Sequence, residues 1–261
     1  MEKIRLKFTK NGPIRFIGHL DLMRYFQKCN RRAEINVKYS EGYSPHQIMS
    51  FAEPLSVGAT SDGEYIDIQL DSPVDLNKMK DDLNSVMNEG VKITAIEHLD
   101  EHSQKAMTMV DAAEWILTFR NGKEPCKDWE NMLMKYIDSD KLMAVKKSKK
   151  GEVEIDMKPF IYRFEIVDRD KLQGFSNKNY RYEDNSLSKD CKCIHMLISS
   201  GSRDHLKPGL IIENFYKSLG IEMPDFVYKI HRVDTYLSES DDKGTYEIPM
   251  IAESCEKIYI N

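Results

Sequence analysis

The sequence predicts an α+β fold of two tandem ferredoxin-like (βαββαβ) units, the second degenerate or elaborated. Three observations predict it. In the first half, alternating apolar and polar runs are interleaved with two runs of helical period, in the order strand, helix, strand, strand, helix, strand. The same order returns, more loosely, after residue 110. The chain also has 261 residues, 41% hydrophobic and 31% charged, enough for two cores of ordinary size.

The elements follow in order. Residues 3–8 alternate Lys3, Arg5 and Lys7 with Ile4, Leu6 and Phe8 and read as a strand. Residues 19–33 form a helix with Leu22, Met23, Phe26, Cys29 and Ala33 inward. Residues 36–40 make a short strand. Residues 64–70 alternate Tyr65, Asp67 and Gln69 with Ile66, Ile68 and Leu70. Asp75 caps a second helix carrying Leu76, Met79, Leu83, Val86 and Met87 at core spacing, and Gly90 follows its end. Residues 91–99 close the set as a strand.

In the second half, residues 113–120 read as a strand and 126–137 as a helix with Trp129, Met132, Leu133, Tyr136 and Ile137 inward. Residues 142–147 and 152–156 flank the turn Lys149-Lys150-Gly151 as a hairpin. Residues 193–199 are a strand. Pro208 opens a helix that buries Leu210, Ile211, Phe215 and Leu219, and Gly220 ends it. Residues 226–237 are the last strand. The expected domains are 1–105, carrying the site, and 106–237, with a polar insertion at 168–190. Residues 238–261 read as an appended extension.

Composition narrows the function classes. No apolar run approaches the roughly 18 residues of a membrane span, and the first residues alternate as a strand, not as a signal peptide. Five cysteines, an odd number scattered over the chain, argue for a reducing compartment, so the expected location is cytoplasmic. Net charge is −5, but residues 1–50 hold ten Lys/Arg against four Asp/Glu, and residues 51–111 hold four against thirteen. The basic opening keeps nucleic-acid binding open through its local field.

The chemistry-bearing side chains crowd between Gly12 and Asp67. Arg24, Lys28, Arg31 and Arg32 share one helix face and suit phosphate oxygens; a solvated face is the competing reading. At the entry to that helix, Arg15 and His19 stand beside the first-turn N–H groups, and Asp21 can either serve the helix dipole or orient His19. The loop Tyr39-Ser40-Glu41-Gly42-Tyr43-Ser44-Pro45-His46 offers aromatics for base stacking, or Glu41 and His46 for acid–base work; a tyrosine-anchored turn is the plain alternative. Glu53 and Pro54 lie in a segment that folds back on it. Metal ligation is not expected, because Cys191-x-Cys193 lacks a second pair and His98-x-x-x-His102 falls at a strand end. No nucleotide-binding glycine motif or other cofactor signature occurs.

Several of these residues stand in a familiar order. Lys7-Phe8-x-Lys10-x-Gly12-Pro13-Ile14-Arg15-Phe16-Ile17-x-His19-Leu20-Asp21-Leu22-Met23-Arg24 resembles a radical-SAM-linked domain family of unknown function. So do the Tyr39–His46 loop, Ser50-Phe51-Ala52-x-Pro54-Leu55-x-Val57-Gly58 and Gly63-Glu64-Tyr65-x-Asp67. Later, Asp156-x-Lys158-Pro159 resembles the family's Asp-x-Arg-Pro segment, with Lys158 replacing the usual Arg. Members of that family stand beside, or fused to, cobalamin-type radical-SAM proteins, so the resemblance implies a radical-SAM protein as partner. This chain lacks the Cys-x3-Cys-x2-Cys of such enzymes, which leaves radical chemistry to the partner. A weaker likeness of architecture is to CRISPR repeat-processing endoribonucleases.

The leading expectation is an accessory recognition subunit, more a binder than an enzyme, that holds RNA or another polyanion. Arg15, Arg24, Lys28, Arg31 and Arg32 would meet phosphates, and Tyr39, Tyr43 and His46 the bases or the partner's product. Neither DNA nor a membrane is an expected partner. One alternative is a metal-independent RNA-processing or RNA-modifying enzyme with His19 or His46 as base and Asp21 or Glu41 beside it. The other is a protein–protein interaction module without RNA binding.

Overall fold

The computed structural model describes residues 2–100, 102–148, 151–188, 190–201, 204–251 and 255–260. The fold is mixed α+β, with mostly antiparallel strands and few helices. The chain divides into two compact units.

The first unit comprises described residues within Met1–Val110, Arg232–Leu237 and Pro249–Ser254. Its elements are β1 (Glu2–Lys10), α1 (His19–Arg32), β2 (Met49–Phe51), β3 (Thr60–Leu70), α2 (Leu76–Val86), β4 (Ile93–Leu99) and the short α3 (Ala106–Met109). The strands run antiparallel in the order β4-β1-β3, with β2 on β3, in registers such as Leu6↔Ile66, Leu6↔Ile96 and Met49↔Ile68. Alternation puts Ile4, Leu6 and Phe8 of β1 and Ile66, Ile68 and Leu70 of β3 in one core. Leu22, Phe26 and Cys29 of α1 and Met79 and Leu83 of α2 cover that core, and Phe8, Phe26 and Phe51 meet edge to face. Asp75 caps α2 by accepting from the Lys78 N–H.

Residues 36–40 are not a strand. Val37 and Tyr39 make single bridges, to Leu70 and Gln47, and the ladder partner of β3 is Met49–Phe51, beyond the Gly42 and Pro45 turns. The residues after Ser238 are not an appendage either. Met250 and Ile251 pack with Ala52, Tyr65, Ala106 and Val110 in a second core cluster.

The second unit comprises described residues within Asp111–His231, Ser238–Ile248 and Cys255–Asn261. It holds β5 (Val110–Phe119), α4 (Trp129–Ile137), the hairpin β6 (Met143–Ser148) and β7 (Gly151–Asp156), β8 (Ile161–Asp168), β9 (Lys192–Ser199) and α5 (Pro208–Ser218). Parts of β10 (Tyr228–Asp241), β11 (Gly244–Pro249) and β12 (Ile258–Tyr259) complete it. β9 lies between β5 and β8, antiparallel to both. α4 begins three residues later than the spacing predicts, after turns over 121–128. The turn residues Lys149 and Lys150 lie outside the described residues. β8 is an element the sequence reading missed. Among its described residues, the polar segment 168–190 has no long regular element, yet Leu172 and Ser176 are buried in it.

Candidate functional site

β1 leads directly into the entry of α1. Lys10, the last residue of β1, is buried and donates to the Ile17 carbonyl at 3.1 Å. Burial lowers its pKa, against the opposing charge of Glu64. Gly12, at φ +54°, turns the chain into a 3-10 helix over Gly12–Phe16. The Arg15 guanidinium sits over the Phe16 ring at 4.8 Å, and the Arg15 carbonyl accepts the Gly58 N–H at 2.8 Å. The loop before β3 is thereby tied to the loop before α1. Phe16, Leu20 and Val57 remain largely exposed on these segments.

His19 opens α1, and its ring meets Phe51 edge-on at 5.2 Å. Asp21 is exposed and accepts from Arg24 at 3.2 Å, so it serves the first turn and its i+3 neighbour instead of the imidazole. Leu22, Phe26, Cys29 and Asn30 form the buried face of α1, which leaves Arg24, Lys28, Arg31 and Arg32 exposed. Arg31 and Arg32 stand in the last turn, where cations complement the helix dipole. Arg32 also lines a cavity of about 510 Å³ with Glu34, Asp75, Lys78 and Asp82. The carboxylates there weaken its attraction for a polyanion, and Asp21 does so for Arg24 in part, so within the set Arg24, Lys28 and Arg31 the last two are the stronger anion-facing groups.

The Tyr/His loop docks on the same helix. The Gln47 amide donates to the Gln27 carbonyl at 3.4 Å and to the Tyr39 hydroxyl at 3.3 Å, and the Asn30 amide donates to Gln47 Oε1 at 3.0 Å. Gln27 and Asn30 belong to α1, so Gln47 ties Tyr39 to the helix that carries the basic row. Tyr43 is fully exposed at the loop tip, after Gly42 at φ +107°. Glu41 and His46 are exposed as well. His46 Nδ1 lies 2.9 Å from Ser40 Oγ, which also accepts the His46 N–H at 3.1 Å. Among the described residues, neither His19 nor His46 touches a carboxylate. The arrangement offers cations, hydrogen-bond donors and ring faces to solvent.

The sequence reading missed the ion network beneath these loops. Arg232, wholly buried, makes a two-pronged pair with Glu64 at 2.8 and 2.7 Å and reaches the Glu53 carboxylate at 3.1 Å and its carbonyl at 2.9 Å. Lys7 and the Tyr65 hydroxyl both bond Asp234, at 2.5 and 2.6 Å. Asp67 holds Arg5 at 2.8 Å and the Ala106 N–H at 2.8 Å. The signal available was the charged, alternating His231-Arg232-Val233-Asp234 run on a strand.

The second unit holds a different buried group. His195 lies between Glu114 at 2.6 Å and Glu165 at 2.8 Å, its ring stacked on Phe175 at 3.7 Å. Glu114 also accepts the Phe175 N–H at 2.9 Å and so anchors the polar segment. Cys191 and Cys193 are free thiols, and His98 pairs with Glu2 at 2.6 Å. Among the described residues, no three His, Cys, Asp or Glu side chains gather as a metal-binding group, and no helix is long and apolar enough to cross a membrane.

A family model described as "Uncharacterized protein conserved in bacteria (DUF2344)" matches residues 3–208. No curated protein matches the chain. Among solved structures, a chain of the "Crystal Structure of a Cbf5-Nop10-Gar1 Complex" is similar with a TM-score of 0.46 at 6% identity, over 89% of this chain and 48% of that one. This chain thus spans about half the length of that match. The family match takes in the entry to α1, the Tyr/His loop, Glu53, Glu64 and the His195 cluster, and on that span the chain belongs to the bacterial protein family DUF2344.

Proposed function

We propose that this chain is a cytoplasmic accessory subunit of a radical-SAM enzyme and that it binds RNA or a similar polyanion along α1. The observation that carries the reading is the exposed row Arg24, Lys28 and Arg31 on a helix to which Tyr39 is tied through Gln47. Guanidinium and ammonium groups in a row follow a phosphate backbone, and an adjacent exposed ring receives an unstacked base. Phe16, with Arg15 over its face, adds a second ring at the entry to the helix. The twelve residues from His19 to Asn30 span about 17 Å at helical rise, so the path suits a short single strand. The partner rests on the motif resemblance.

The order β4-β1-β3-β2 with two helices supports a ferredoxin-like first domain ending near residue 105. The β5-β9-β8 run, with the β6/β7 hairpin added, supports a second, elaborated copy. Fluorescence anisotropy with a labelled single-stranded RNA tests the binding reading. Wild type binds, and the Arg24→Glu/Arg31→Glu variant loses at least about tenfold in affinity. Equal binding by both proteins would refute the assignment to α1.

A further inference from the structure

A buried carboxylate without partners calls for an ion, a proton or a water. Glu247, on β11 in the second unit, is fully buried, and neither of its oxygens has a hydrogen-bond partner. Its strand is paired there, Glu247↔Ile258, and Ile258 is buried too, so this is no frayed edge. Asp111 of β5 and Ser238 of β10 lie close enough to act on the carboxyl. Tyr162 of β8 lies within electrostatic reach of both carboxyls and bonds Ser199. Among the described residues, no Lys, Arg or His acts on Glu247. Burial first, and then the charge of Asp111, raise the Glu247 pKa to about 8. Near neutrality Glu247 therefore keeps its proton.

We propose that Asp111 and Glu247 form a binding site for a hard divalent cation of the Mg2+ or Mn2+ class. The donors on offer are all oxygen: two carboxyls, the Ser238 hydroxyl and water, the set such ions select over softer metals. Half-buried Asp111 and exposed Ser238 give the ion a path from solvent to the buried carboxyl. The incoming cation displaces the Glu247 proton, which leaves to solvent, and both carboxylates then face a positive charge. This site lies outside the α1 surface and does not depend on the RNA reading.

The test is Mn2+ binding to the full chain, followed by the paramagnetic signal of free Mn2+, in wild type, Glu247→Gln and Asp111→Asn. Wild type is expected to bind Mn2+ saturably, with affinity rising about tenfold per pH unit up to about pH 8 and levelling above it, because one proton competes. Both variants are expected to lose at least about tenfold in affinity while keeping the wild-type circular dichroism. Saturable binding that is insensitive to either substitution would overturn the proposal. Absence of binding to wild type at about pH 8.5 would do the same and leave Glu247 a buried acid without a metal; that arm needs no variant to fold.

Discussion

Glu64→Ala is the substitution whose cost follows most directly from the structure. The Arg232 guanidinium is about 1% exposed, and Glu64 accepts two hydrogen bonds from it, at 2.8 and 2.7 Å. Removing one partner of a buried pair costs about 3–5 kcal/mol, because the remaining charge stays desolvated. Glu53 still offers its carboxylate at 3.1 Å and its carbonyl at 2.9 Å, which puts the expected loss at the low end, about 3 kcal/mol. At about 2–4 °C per kcal/mol for a chain of this size, the melting temperature should fall by about 6–12 °C. Urea unfolding with tryptophan fluorescence gives the free energy, and a thermal scan gives the shift. The Glu64→Leu/Arg232→Met double variant should recover much of the loss, since it leaves no unpaired guanidinium. Arg232 also fixes the Glu53 backbone ahead of Gly58, whose N–H holds Arg15, so Glu64→Ala should weaken RNA binding mildly as well. A loss below about 1 kcal/mol, the range of an exposed pair, would refute the view that this network is dry and supports the loops.

Other expectations concern single groups. Gly63→Ala would push a Cβ into the Asp234 Cα; a cost of about 1–3 kcal/mol and a lower soluble yield are expected, and a wild-type urea midpoint would contradict the packing. For His195, burial alone would lower the pKa, but the hydrogen bonds and charges of Glu114 and Glu165 outweigh it and raise it. The stabilisation is therefore complete below the ordinary imidazole pKa of about 6.5 and is lost as pH rises through the higher folded value. The urea midpoint of wild type should fall on that alkaline side, whereas that of His195→Gln should stay flat there; identical pH profiles would contradict the assignment.

Local pattern made part of this molecule legible. β1, α1, β3 and α2 were readable because each repeats a period over several residues, as Leu22, Phe26 and Cys29 do on α1. β2 was misread, since Asn36–Ser40 has strand-like composition but only single bridges, while the ladder forms beyond two sharp turns. β8 escaped because its side chains are mostly half-buried, without a clean inside and outside. The tail was undervalued: Tyr246, Met250 and Ile251 fill core space that no local window reveals. The candidate site divides in the same way. Exposure of Arg24, Lys28 and Arg31 follows from helical spacing. The pairing of Glu64 with Arg232 joins residues 168 apart, and the encirclement of His195 joins three strands and a loop, so neither leaves a mark in any short stretch.

The salt dependence of RNA binding tests the central claim most directly. Phosphate contacts from Arg24, Lys28 and Arg31 predict a log–log slope of about −2 for a single strand, at about −0.7 per contact. In the Arg24→Glu/Arg31→Glu variant, binding should be lost or the slope should approach zero. Wild-type affinity that does not change with salt, or a slope the variant leaves unaltered, would contradict the account.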